Sequence, residues 1–291
     1  MRLAIDTGLF PYQSWEETFE LIAESGIKYV EWSQRGDFVF QDVEEKELLR
    51  VGKLIERAGL ELAGMIPMCP LASPIEAERH KAVADWKRLI AITASLGARQ
   101  MFGEMTGNAL FKKEVLLCTD AFKRSMEALA PTLAEAGMHA SFEPHPGDFV
   151  EENNKAVDLI REMGHREVGY LFCMPHTYVM TPSDTRQTAV EMIQYAGKTI
   201  THTHIADTHP VWRIITMGGA GAHEHMLPGW GELDFPAIAQ ALREVGYDGF
   251  VSAPLFSHAD RDGRVVLKAA ITMREYAVNT LGIALRGKGA A

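Results

Sequence analysis

Two runs in this sequence place donor side chains at the ends of apolar stretches: Glu143-Pro144-His145, a carboxylate and an imidazole, and His202-Thr203-His204, two imidazoles. Cys173-Met174-Pro175-His176 lies between them, and His223-Glu224-His225 follows in a glycine-flanked stretch. Imidazole nitrogen, carboxylate oxygen and thiolate sulfur are the donors that hold a catalytic divalent ion. Pro144 favours an extended backbone at Glu143, so Glu143 and His145, two apart, share one strand face. His202 and His204 share a face for the same reason. His204, nearer the C-terminal end, is the better ligand, and His202 is left to orient or pack.

The elements that must position these residues recur as one unit: a short apolar run, a polar loop, then a longer stretch of helical period. Strands are expected at residues 3–6, 29–32, 60–66, 100–103, 138–143, 169–174, 199–206 and 249–253. Helices are expected near 15–24, 44–58, 75–96, 113–136, 154–163, 186–196, 235–245 and 265–281, many stopped by glycine. The strands are nearly continuously apolar, as parallel strands covered on both faces are. Eight such pairs predict an α/β fold, a single-domain (β/α)8 barrel over residues 1–285 with a flexible C-terminal tail at 286–291. A doubly wound open sheet would carry a glycine-rich phosphate loop after its first strand. Asp6-Thr7-Gly8-Leu9-Phe10-Pro11 is no such loop.

In a (β/α)8 barrel, chemistry sits where strands end and the following loops begin. Asp6, Glu31, Glu104, Glu143, His145, Cys173, His176, His202, His204 and Asp207 all fall there. Buried carboxylates are costly unless paired or metal-bound, so this many polar groups in one mouth point to a metal. The ordinary reading of each is a capped loop amide or a packed imidazole. His80 and His165 lie on or beside helices and read as solvated. Met65, Met68, Met101 and Met105 read as fillers of irregular gaps, and Cys69 and Cys118 as inert buried thiols.

Composition narrows the class. The chain has 291 residues, 47% hydrophobic and 23% charged, which is ordinary for a globular protein. A net charge of -10 repels phosphate backbones and argues against nucleic acid. Three cysteines without regular spacing argue against a disulfide scaffold. No apolar run approaches the ~20 residues that span a bilayer. The expectation is a cytoplasmic protein with a small-molecule partner, in contact with neither membrane nor nucleic acid. A homo-oligomer or a small partner subunit is compatible with the sequence.

The order strand-Glu-x-His, then histidine after strand six, then His-x-His-x-x-Asp on strand seven resembles the xylose isomerase-like barrels, the sugar phosphate isomerases and epimerases. GWGELDF (229–235) and GYDGFVS (246–252) agree with it. More narrowly, EPHPGDFVE (143–151), CMPHT (173–177) and HTHIADT (202–208) look like a group associated with inositol catabolism. The resemblance implies a divalent ion (Mn, Zn, Co, Fe or Mg) held by Glu, Asp, His and Glu on strands five to eight. Glu143 and His204 match that pattern. Cys173 stands at the aspartate position and Pro254, which offers no side-chain donor, at the last glutamate position. The resemblance therefore implies a shifted site built from Glu143, His176, His204 and His225, with Cys173 in reserve.

The implied activity is a metal-dependent isomerase or epimerase acting on a small sugar, keto-sugar or inositol derivative through an enediolate. A lyase performing beta-elimination at the same site is the first alternative, and a catalytically reduced accessory subunit the second. His145, Glu104 and Glu31, in that order, are the candidates to move the proton. Arg213, Trp32, His202 and Asp207 are the candidates to contact substrate.

Overall fold

The structure, a computed structural model, describes residues 1–107, 110, 113–180, 187–209, 211–212 and 224–285. Eight parallel strands form a closed barrel: β1 (Arg2–Asp6), β2 (Tyr29–Ser33), β3 (Glu61–Ile66), β4 (Gln100–Glu104), β5 (His139–Glu143), β6 (Val168–Cys173), β7 (Ile200–His204) and β8 (Phe250–Ala253). β1 pairs with both β2 and β8, which closes the ring. Each strand is followed by a helix: α1 (Trp15–Ser25), α2 (Glu45–Arg57), α3 (Glu76–Ser95), α4 (Val115–Ala136), α5 (Asn153–Met163), α6 (Ala189–Ala196), α7 (Phe235–Glu244) and α8 (Gly263–Asn279). The (β/α)8 architecture expected from periodicity is the one observed.

Local chemistry sets the boundaries. Ser14 accepts the amide of Glu17 to open α1, and Gly26 ends it in the left-handed region. α6 begins at Ala189, later than expected, because Thr188 and Glu191 form a reciprocal capping box. α8 begins earlier than expected, at Gly263, because Asp262 caps the amide of Arg264. β7 ends at His204, shorter than the apolar run suggested, since Asp207 leaves the barrel to pair with Met226.

The main core lies between strands and helices. Inside the barrel, Ala4, Tyr29, Ala63 and Phe250 fill the N-terminal end. Ile66, Phe102, Leu171 and Cys173 form an apolar layer nearer the mouth. Gly64 makes that layer fit: a Cβ there would lie 2.6 Å from the Phe102 ring and 2.5 Å from the Gln100 carbonyl oxygen. Among the described residues, no helix is long and apolar enough to cross a membrane. Residues 286–291, expected to form a tail, lie outside the described residues.

Candidate active site

Strand register brings the polar residues to one level. Asp6 is opposite Glu31, Glu104 opposite Glu143, and Cys173 opposite His204. Two irregularities aim the side chains: the β2–β3 register shifts between Val30 and Glu31, and the β6–β7 register shifts between Tyr170 and Leu171. Such bulges turn side chains that regular pairing would send elsewhere.

Beneath the mouth sits a fully buried anion. Glu31 accepts from His202 Nε2 at 2.7 Å and from His204 Nε2 at 2.9 Å, one bond to each carboxylate oxygen. Burial alone would raise the Glu31 pKa, but His204 and His202 overcome it and hold the carboxyl well below the usual range. Burial likewise opposes charge on His204, yet Glu31 and Glu143 push its pKa well above the ordinary imidazole value. His202 moves the other way, because desolvation outweighs Glu31. Its ring stacks on Phe102, with centroids 3.8 Å apart.

Above this layer the metal-type donors converge. Glu143 Oε2 is buried without a hydrogen bond, while His204 Nδ1 and His176 Nδ1 lie 3.4 and 3.8 Å away. His176 Nδ1 lies 3.2 Å from the Pro144 carbonyl oxygen. A carbonyl only accepts, so Nδ1 donates and Nε2 is the nitrogen left to ligate. Cys173 Sγ is 3.8 Å from His225 Nε2. Two triads, Glu143/Cys173/His204 and Cys173/His176/His225, each hold their donor atoms within 4.8 Å of one another, and both contain Cys173. An imidazole, carboxylate and sulfur set with an unbonded buried oxygen fits a divalent ion. Burial, then Glu143, push the Cys173 thiol up to about 12, so it keeps its proton until a cation displaces it.

A cavity of about 230 Å³ opens over these residues. Glu143, His176, His204 and His225, the expected ligands, all line it, as do His145 and Glu104, two of the candidate bases. Glu104, His145 and Asp148 form a further cluster on the flank, with donor atoms within 4.8 Å. His145 Nδ1 lies 3.0 Å from the Pro146 carbonyl oxygen, which makes Nδ1 the donor and Nε2 the basic nitrogen.

Four expectations need correction. Glu31 does not line the cavity, and both its oxygens are engaged, so it is not a base facing substrate. His202 is fully buried under Glu31 and does not line the cavity in which substrate contact was expected. Trp32 is buried among Trp15, Phe38 and Phe40, an aromatic cluster behind the barrel wall. Asp207 accepts the backbone amides of Thr208, Gly229, Gly231 and Leu233, and so organises a loop. Arg213 and His223 lie outside the described residues. Met68, read as a gap filler, lines the cavity.

Three lining or flanking residues carried no assigned role in the sequence. Asp6 lines the cavity, and burial together with Glu31 raises its pKa from 3.8 to about 7. Asp148 accepts from Thr106 Oγ1 at 3.1 Å, and its position just past Pro146-Gly147 was the available signal. Phe256 covers His225, with ring centroids 4.9 Å apart, and no local pattern marked it.

Residues 19–275 match the family described as xylose isomerase-like TIM barrel. An inosose isomerase of Bacillus velezensis is 24% identical over 180 residues, which is 61% of this chain and 60% of that relative. The chain spans about three fifths and two fifths of the lengths of two curated relatives it matches, this one and the rhizopine catabolism protein MocC of Rhizobium meliloti, 30% identical over 139 residues. The structure of a D-psicose 3-epimerase in the presence of D-fructose superposes with a TM-score of 0.76 at 16% identity, over 97% of this chain and 100% of that one. The IolI protein, solved with a bound zinc atom, superposes with a TM-score of 0.70 at 19% identity, over 97% and 98%. With this barrel, this strand order and a match over most of its length, the chain belongs to the xylose isomerase-like TIM barrel family.

Proposed function

We propose that this chain is an isomerase or epimerase-type enzyme acting on a small sugar, keto-sugar or inositol derivative through an enediolate. The observation that carries this reading is one cavity lined by metal-type donors and flanked by the Glu104/His145/Asp148 cluster. Glu143, His176, His204 and His225 would hold a divalent ion, with Cys173 as an added donor. The thiol and imidazoles favour Zn²⁺, Co²⁺ or Fe²⁺ over Mn²⁺ or Mg²⁺. When bound, such an ion supplies Lewis acidity that makes the proton alpha to a carbonyl easier to remove.

The chain's own residues do the rest. His145 Nε2 takes the alpha proton, and its Nδ1, tied to Pro146, fixes the tautomer that can do so. Glu104 and Asp148 stabilise the imidazolium that results. Asp6 ends β1, across the barrel from β5, and with a pKa of about 7 it is partly protonated near neutrality. It can therefore donate to a substrate oxygen or return a proton from that side. The relative from Bacillus velezensis is an inosose isomerase, which supports cyclic keto-polyols as first substrates.

Asp6 also supports the lyase as a second reading. A protonated carboxyl across the barrel from the base can protonate a departing beta oxygen, and Pro254, just after β8, offers no second base.

The test is proton exchange. Zinc-loaded protein is incubated in D2O with inososes, ketohexoses and 3-keto-glucosides and followed by NMR. Deuterium at the carbon alpha to the carbonyl, lost in His145→Ala, is expected. Isomer product supports the first reading and an unsaturated ketone the second. No exchange with any panel member would overturn both.

A further inference from the structure

We propose that Glu31 is the positioning residue of the cation site, setting which nitrogen of His204 meets the ion. This rests on the metal site described above. A carboxylate only accepts, so both bonds to Glu31 are donated by imidazole Nε2–H groups. With Nε2 of His204 committed downwards, Nδ1 is the nitrogen that faces Glu143 Oε2. A carboxylate behind a ligating imidazole fixes ring orientation and makes the facing nitrogen a better donor.

His202 completes the device without ligating. Its ring is stacked on Phe102, its Nε2 is held by Glu31, and its Nδ1 is buried with no hydrogen bond. It therefore occupies the second oxygen of Glu31 and stops that carboxylate from turning away from His204. The register shifts fall at both groups: Ala63 of β3 is the extra residue beside Glu31, and Thr201 of β7 is the extra residue just before His202. A buried pair kept for stability alone would have no reason to deliver the remaining nitrogen of His204 to the donor cluster.

The experiment measures zinc affinity by competition with a chromophoric chelator in wild type and Glu31→Gln. The amide keeps the shape but can accept from only one histidine, and zinc affinity should fall roughly 10- to 100-fold. Nitrogen-15 histidine NMR of the zinc-loaded wild type should show His204 protonated at Nε2 and coordinated at Nδ1. Equal affinity within twofold, or a His204 protonated at Nδ1, would overturn the positioning role while leaving the metal site standing. Should the variant not fold, the wild-type NMR decides alone. A wild type that retains no zinc, cobalt or manganese would overturn the metal site and this inference together.

Discussion

Asp6 and Glu31 are register partners at the mouth ends of β1 and β2, both buried, yet their carboxyl pKa values are driven in opposite directions. Glu31 is bonded to two histidines and stays ionised. Asp6 has the Gly8 amide at 2.6 Å but also the charge of Glu31 beside it, and its pKa rises to about 7. Neighbouring carboxyls driven apart in this way can serve as a fixed anion and a proton donor within one site.

Asp6 makes the pH dependence of stability testable. Its folded pKa lies above the unfolded value of 3.8, so the folded state holds the proton more tightly. Its contribution favours folding below about pH 4 and is lost as the pH rises towards 7. Asp6→Asn should leave metal-free stability nearly unchanged at pH 4 and raise it at pH 8. The interval from 3.8 to about 7 sets a ceiling of about 4 kcal/mol on that gain. Urea denaturation at both pH values checks it, and a loss of stability at pH 8 would count against the assignment.

Cys173 is the corner shared by two donor triads. Cobalt-loaded protein should show a near-ultraviolet thiolate-to-metal band that Cys173→Ala abolishes. Because the thiol starts protonated, with a pKa of about 12, zinc binding should release a proton and strengthen as pH rises. A cobalt spectrum unchanged by the substitution would remove Cys173 from the ligand set.

His145 and the ligand histidines should separate by readout. His145→Ala should lower kcat roughly 10²- to 10⁴-fold with metal content unchanged. His176→Ala and His225→Ala should lose metal together with activity. Elemental analysis beside steady-state kinetics distinguishes the two, and loss of metal in the His145 variant would move that residue into the ligand set.

Asp207 should act through folding. Its buried carboxylate gathers four backbone amides, so Asp207→Ala leaves several donors without an acceptor. The expected cost is about 3 kcal/mol or more, with faster proteolysis around residues 229–233. Unchanged stability with a raised KM would instead return Asp207 to substrate contact.

The sequence by itself determined the barrel and the strand ends. Apolar runs alternating with helical period, glycine stops and capping residues such as Ser14 are local signals, and local signals survive in one dimension. It also marked Glu143, His145, His176 and His204, since donor-type residues at or just past strand ends are legible from order, whereas His225 joined them only through the family resemblance. What each polar group does was decided only in three dimensions. Glu31 and His204 are far apart in the chain, and only closure of the barrel and two bulges show that Glu31 serves the histidines and not a substrate. Trp32 and Asp207 were ambiguous for the same reason: an indole stacks on sugar or on Trp15, and a carboxylate binds a hydroxyl or four loop amides, according to which partners folding brings within reach. The chemistry of a residue type is written in the sequence. The partner that uses it is set by packing between segments remote in the chain.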